Sequence, residues 1–361
     1  MKILVNDIAA SDGGALSILK SFYDYVIQND HENEYVFLLG DFYLEATSNV
    51  QIRVFPEIKK QRIKRLMFDL FNGRKVVQEI KPDVIFSLQN TMIFGVSTIP
   101  QIVYMHQSIP FQDMKRFSFF DKDERGLAVV QHLIGKIIIQ SVKKADYIFV
   151  QTEWIRDAVL KKTGICGEKI IDVFPEYESI TCERKQLDNT LFFYPAKKDV
   201  YKNHECILNA VEILREKGLE KFEVLLTTEG VDTDNLKHIG AIPHQLVLEY
   251  LQRGTLLFPS YIETVGLPML EARSVNGLVL ASDCPFSHEV LEGYNNAYFF
   301  DPFNAKELAK LMEQIIEGSI VRKELNNTKF VKSRQGWKVI CDLIRKEGFH
   351  GREYIKSIIS D

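Results

Sequence analysis

Short apolar runs alternate along the chain with longer stretches whose apolar positions recur every three or four residues. Residues 2–6, KILVN, read as a strand, and 7–14 as a loop. Residues 15–28 read as a helix, because Leu16, Leu19, Phe22, Tyr23 and Val26 share one face. The alternation continues with strands at 35–39, 50–55, 83–88, 101–105, 146–150 and 169–174, and with helices at 127–144 and 153–162. A polar stretch without periodicity, 175–189, interrupts it. Strands then resume at 190–194, 222–227, 256–258, 278–281 and 297–300, with helices at 204–217, 244–253, 285–292 and from 304 onward. Residues 337–346 and 353–359 read as closing helices. Strand alternating with helix is the pattern of α/β domains with parallel sheets. The interruption predicts two of them, over 1–175 and 190–340, followed by a terminal segment, 341–361.

Composition fits this picture and narrows it. A chain of 361 residues suits two domains of ordinary size. The hydrophobic fraction of 46% and the charged fraction of 26% are those of a globular protein. A net charge of −4 argues against a general nucleic-acid binder. Five cysteines without CxxC spacing make a structural disulfide or zinc site unexpected and fit a reducing cytoplasm. The N-terminus is not a signal peptide, since Asp7 breaks its short apolar run. No apolar stretch reaches the roughly 18 residues that suggest a membrane span. Charge is concentrated at 59–77, where Lys59, Lys60, Arg62, Lys64, Arg65, Arg74 and Lys75 flank Ile63, Leu66, Met67, Leu70, Phe71 and Val77 at helical spacing. Such a segment is either an ordinary core-facing helix with a basic outer side or one that docks on an anionic membrane surface.

The richest candidate chemistry lies at 256–283, LLFPSYIETVGLPMLEARSVNGLVLASD. The apolar run Leu256-Leu257-Phe258 stops at Pro259, and a loop leads through Glu263 and Thr264 to Gly266 and Pro268 at a helix start. A helix start directly after a strand presents unpaired N–H groups, which suit phosphate. Glu263 and Glu271 bracket that start, and carboxylates accept hydrogen bonds from sugar or ribose hydroxyls. Acceptors on both sides of amide donors match a sugar, a diphosphate and a ribose in a row. Two further strand ends carry chemistry. His106 closes the strand at 101–105, and Lys197, Lys198 and Lys202 crowd the turn after 190–194. The loop at 7–14 holds Gly13-Gly14, but neither a dinucleotide fingerprint nor a Walker phosphate loop occurs. Asp232-Thr233-Asp234 reads as a polar surface loop rather than a metal site.

The string FPSYIETVGLPMLEARSVNG resembles the nucleotide-sugar motif of the retaining glycosyltransferases of family 4, the group 1 glycosyl transferases of bacterial surface-polysaccharide synthesis. The resemblance extends over 239–254, through SDCPFSHEVLEG and FDPFNAKELAKLM, and into the N-terminal half. It implies the GT-B fold: two doubly wound Rossmann-like domains facing across a cleft, the acceptor on the first, the donor on the second, and a terminal helix packed back on the first. It implies that Glu271 holds the ribose and Glu263 the sugar hydroxyls. Thr264 and the backbone of Val265, Gly266 and Leu267, with Lys202, would hold the diphosphate. His106 would lie near the reacting sugar, Gly13 and Gly14 near donor phosphates or acceptor, Gly230 in the donor loop, and Ile242 against the base. The family's arginine a few residues before its phosphate lysine is missing here, and Lys197 is the candidate replacement, though a lysine offers a point charge and not a planar fork. The implied reaction retains the anomeric configuration, needs neither metal nor cofactor, and moves a sugar from a nucleotide-sugar, expected to be a UDP-sugar, to a saccharide or polyprenyl-linked saccharide. The expected location is cytoplasmic, peripheral on the inner face of the cell membrane. A nucleotide-sugar 2-epimerase and a catalytically silent sugar-binding subunit remain open alternatives.

Overall fold

The computed structural model of the protein describes residues 1–11, 13–59, 61–174, 185–324 and 336–346. They divide into two compact units. The first contains a seven-stranded sheet of β1 (Lys2–Asp7), β2 (Glu34–Leu39), β3 (Val50–Val54), β4 (Val84–Ser87), β5 (Gln101–Met105), β6 (Tyr147–Val150) and β7 (Ile170–Asp172). Its order is β3-β2-β1-β4-β5-β6-β7, and every pair is parallel. The second contains a six-stranded parallel sheet of β8 (Leu191–Tyr194), β9 (Glu223–Leu226), β10 (Leu236–His238), β11 (Thr255–Phe258), β12 (Leu278–Ser282) and β13 (Ala297–Phe300). Its order is β10-β9-β8-β11-β12-β13. Central strands such as LFFY, TLLF and LVLAS are buried along their whole length, as both faces of a parallel sheet are covered by helices.

Each order reverses once, between β1 and β4 in the first sheet and between β8 and β11 in the second. At such a point two neighbouring strands send their following loops to opposite faces, and a crevice opens at their carboxyl ends. All the strand-end candidates from the sequence lie at the carboxyl edge of one sheet or the other.

Three local features depart from the periodicity reading. The basic segment is not one even helix. It consists of Pro56–Lys59, Arg62–Met67, a π turn over Phe68–Asn72 and Gly73–Ile80. The π turn rotates the register, so Phe68, Asp69, Val77 and Ile80 go inward while Ile63, Met67 and Phe71 stand 75%, 45% and 51% exposed. A second π turn, Val130–Ile134, interrupts the helix read at 127–144. Strand β10 escaped the sequence reading because it is short and polar, and because only Thr227–Asn235 connect it to β9, without the helix usual between parallel strands. Side chains shape that loop instead. Asn235 Nδ2 donates to the carbonyls of Glu220 and Phe222, both at 2.8 Å, and Asp232 Oδ1 accepts the His238 N–H at 2.8 Å.

The helix Gly336–Lys346 belongs to the first unit. Trp337 stacks on Tyr104 with ring centroids 5.7 Å apart and packs against Phe22 at 5.1 Å. At the other end Arg345 Nε donates to Asp30 Oδ2 at 3.3 Å. Asp30 also accepts from the Tyr35 hydroxyl at 2.7 Å and from Asn33 Nδ2 at 2.9 and 3.0 Å. Burial alone would raise the Asp30 carboxyl, but these hydrogen bonds and the Arg345 charge outweigh it and hold it below the usual carboxylate range. The closing helix read at 353–359 lies outside the described residues, as do residues 175–184 of the polar interruption.

A native carboxyl held low stabilises the fold above the unfolded value near 4, and this contribution fades as pH falls through the lower native value. Asp30→Asn is therefore expected to cost about 1–3 kcal/mol at pH 7. The gap between variant and wild type in urea-unfolding free energy should narrow as the pH is lowered through and below the usual carboxylate range. A gap independent of pH would contradict the assignment.

Candidate active site

The second unit gathers its candidates at the reversal between β8 and β11. After Tyr194 the chain passes through Lys197 and Lys198 into the single 3-10 turn Val200–Lys202, and Asn203 then takes a left-handed backbone, φ 56°, to start the helix His204–Glu216. Asn203 Nδ2 ties this turn to the neighbouring strand loops, donating to the carbonyls of Pro259 at 3.2 Å and Pro302 at 2.7 Å. The Tyr194 hydroxyl donates to the Lys202 carbonyl at 2.9 Å, and the Tyr261 N–H donates to the Tyr201 carbonyl at 3.0 Å. The loop after β8 is thereby fastened to the loop after β11.

That fastening brings Lys202 and Glu263 into contact across the reversal. Lys202 Nζ donates to Glu263 Oε1, which also accepts from Ser260 Oγ at 2.8 Å. The two side chains are only 19% and 13% exposed. A pair so sheltered is weakly screened, and each charge depends on the other for compensation. Glu263 Oε1 is occupied twice, and Oε2 remains as a free acceptor among the described contacts.

Beyond Glu263 the chain makes the tight turn expected before a helix. Gly266 has φ 78° and immediately precedes the helix Leu267–Ser274, with Pro268 in the first turn. A methyl group on Gly266 would lie 2.6 Å from Met269 Cε and 3.0 Å from Phe258 Cζ. Only glycine satisfies both the left-handed backbone and this close approach. Val265 is buried, Thr264 half-buried and Leu267 exposed. Glu271, within the same helix, accepts from His244 Nε2 at 2.9 Å. His244 opens the helix His244–Arg253 just after Ile242, which is half-buried.

Gly230 lies where a side chain cannot fit, since an added Cβ would fall 2.3 Å from His238 Nε2. Its glycine is accounted for by this packing alone. Lys197 stands exposed. His204, at the helix start after Lys202, is a residue the sequence reading passed over. Burial pushes its imidazole down to about 4.

The remaining candidates belong to the first unit. His106 follows β5, and its N–H donates to Asn90 Oδ1 at 2.7 Å. Asn90 Nδ2 lies 3.1 Å from His106 Nε2. Since the amide oxygen is engaged by the backbone, the amide nitrogen is the donor to Nε2, and the neutral ring carries its proton on Nδ1. Nδ1 is buried without a hydrogen-bond partner. Burial pushes this imidazole down to about 4, so it is neutral at pH 7. Gly13 has φ 57° and begins the helix Gly13–Asn29, while Gly14 faces open space. His244 and Asn90 were not legible as site residues, because each matters through a partner distant in sequence, whereas Ser260 serves Glu263 within one loop.

Known proteins resemble this chain in sequence and in fold. Residues 182–330 match the family model of glycosyl transferases group 1. That segment, which holds the Lys202–Glu263 pair, is similar to that family. The O-antigen chain mannosyltransferase RfbU of Salmonella typhimurium is 24% identical over 231 residues, which span 60% of this chain and 62% of that protein. The matched stretch thus covers less than two thirds of that relative's length. Among solved structures, WaaG, a glycosyltransferase involved in lipopolysaccharide biosynthesis, superposes with a TM-score of 0.70 at 13% identity over 95% of this chain and 100% of that one. The lipopolysaccharide outer core galactosyltransferase WaaB gives 0.61 at 14% over 96% and 100%. HepE from Anabaena, in complex with UDP-glucose, gives 0.61 at 14% over 88% and 90%. The fold of this protein is GT-B.

The turn geometry separates two glycines sharply. Gly266→Ala should lower the thermal midpoint, with a loss of about 1–3 kcal/mol from backbone strain and overpacking. Gly14→Ala should leave the midpoint unchanged or slightly raised, since nothing opposes a methyl there. Differential scanning fluorimetry on both variants decides it, and equal effects would refute this reading of the turn.

Proposed function

We propose that this protein is a retaining glycosyltransferase that moves a sugar from a nucleotide-sugar, a UDP-sugar in the first instance, to a hydroxyl of a saccharide or lipid-linked saccharide in surface-polysaccharide synthesis. The observation that carries the reading is the sheltered Lys202–Glu263 pair at the sheet reversal, immediately ahead of the Gly266 turn. The group 1 match over residues 182–330 and a relative named for O-antigen mannosyl transfer support it.

In this reading Lys202 and the amides of Val265, Gly266 and Leu267 receive the diphosphate. Lys202 neutralises charge as the nucleotide departs. Glu263, held by Ser260, turns its free oxygen to the hydroxyls of the sugar, and Glu271 holds the ribose. His106, neutral and held by Asn90, orients the sugar near its anomeric carbon. A neutral ring does so without adding a positive charge there. Retention of configuration through front-face attack, assisted by the leaving phosphate, and independence of metal belong to this proposal.

Glu263→Gln keeps the shape and removes the charge, and Lys202→Met removes the cation and keeps much of the stem. Both are expected to lower transfer at least about 100-fold while the circular dichroism spectrum stays that of wild type. A folded variant with wild-type turnover would overturn the roles. The donor is found by a thermal-shift screen over UDP-, GDP- and ADP-sugars, followed by incubation with and without acceptor. Conversion of the sugar itself without acceptor would show an epimerase, and binding without transfer or hydrolysis a silent subunit.

We also propose that the first unit rests on an anionic lipid surface. No described helix is long and apolar enough to cross a membrane. Yet Ile63, Met67 and Phe71 form an exposed apolar ridge on the segment 62–80, and exposed Lys64, Arg74 and Lys75 flank it. Apolar side chains enter the headgroup boundary while each basic residue adds on the order of 1 kcal/mol. Flotation with vesicles containing phosphatidylglycerol should recover the protein at low salt and lose it at high salt. The triple variant Ile63→Ser, Met67→Ser, Phe71→Ser should remain unbound at both. Equal recovery of variant and wild type would remove the proposal.

A further inference from the structure

The triplet Gln89-Asn90-Thr91 follows β4 at the reversal of the first sheet, and its members are only 8%, 8% and 6% exposed. The middle residue is the one that holds His106, and it does so from a left-handed backbone with φ 68°. The two flanking side chains turn to a single acceptor, the carboxylate of Asp69. Gln89 Nε2 donates to its two oxygens at 2.8 and 3.0 Å, and Thr91 Oγ1 donates to Oδ2 at 2.7 Å. Asn6 Nδ2, at the end of β1, approaches Oδ1 at 3.5 Å.

The same cluster reaches the loop after β1. Gln89 Oε1, the polar atom that Asp69 does not use, accepts the Ala9 N–H at 3.1 Å. Arg65, one turn before Asp69 on the same helical segment, donates from Nη1 to the Ala9 carbonyl at 3.3 Å. Both main-chain polar groups of Ala9 therefore end on side chains grouped around one carboxylate.

Asp69 itself is buried in the π turn Phe68–Asn72, next to Phe68, which belongs to the apolar cluster of Leu4 and Ile85. A carboxylate in such surroundings is costly unless its lone pairs are met. Here they are met by residues of two other elements, β1 and the β4–β5 loop. A merely packed core would place an aliphatic residue at this point. The π turn is what aims the carboxyl inward, and such turns recur at functional sites.

We propose that Asp69 is a positioning residue of the first unit: through Gln89 and Thr91 it sets both the main chain of the β1 loop at Ala9 and, by way of Asn90, the ring of His106. The consequence for sugar handling rests on the role of His106 proposed above, while the clamp itself is a matter of geometry. Asp69→Asn keeps the size of the side chain but replaces one acceptor oxygen by a donor that faces other donors.

The test uses the full chain, ¹⁵N-labelled, and needs no sugar donor, so its failure is distinct from failure of the transfer assays. In wild type the His106 ring should show the ¹⁵N shifts of a single Nδ1–H tautomer. In Asp69→Asn these shifts should move toward the tautomer mixture of a free imidazole. The Ala9 amide should exchange about tenfold faster or more, while the amides of Leu4, Val5 and Phe86 keep their protection. Thr91→Val, which removes one donor from the same carboxylate and disturbs the fold less, should move the His106 shifts the same way by a smaller amount. Unchanged His106 shifts and Ala9 exchange in a folded Asp69→Asn protein would overturn the proposal. So would an equal loss of protection in the core amides, which would show a general loosening rather than a clamp.

Discussion

Every strand of a parallel sheet ends at the same edge, and this constraint governs both units. The loops that follow the strands must gather there, and where the strand order reverses they part to opposite faces. In the second unit that parting is bridged by one ion pair, Lys202 with Glu263, supported by Ser260 and by the Asn203 tie to Pro259 and Pro302. In the first unit the corresponding place is closed by side-chain amides instead: Gln89 to Ala9, and Asn90 to His106. The reversal of the second unit is thus held by charge, and that of the first by neutral amides.

Desolvation is the cost of building sites at these edges. Burial raises Asp7 to about 8 and Asp69 to about 7, and lowers His106 and His204 to about 4. Each value moves toward the neutral form, as a low-dielectric surrounding demands. Asp69 retains hydrogen-bond donors enough to oppose that drift, whereas Asp7 Oδ2 has none.

The alternation of apolar runs made both sheets legible, because strands covered on two faces must be continuously apolar. Glu263, Gly266 and Glu271 were legible for another reason: all three lie in one local strand–turn–helix unit, so sequence distance and spatial distance coincide. For the stripe Ile63, Met67 and Phe71, periodicity left a core-facing and an outward-facing reading open. A single π turn shifts the register by one residue and puts it outside. Strand β10 was missed because three polar-flanked residues at a sheet edge leave no periodic trace.

The order of apolar and polar residues by itself determined that this chain forms parallel α/β sheets, and it determined where a phosphate-sized turn flanked by carboxylates would fall. Both follow from local rules, burial on two faces and the unpaired amides of a helix start. Only the tertiary structure decided which side chains became partners. Lys202 meets Glu263 from 61 residues away, Gln89 and Thr91 meet Asp69 from 20 and 22, and Arg345 meets Asp30 from 315. Such pairings depend on strand order, and strand order is set by how whole layers pack, a quantity that no local stretch of sequence contains.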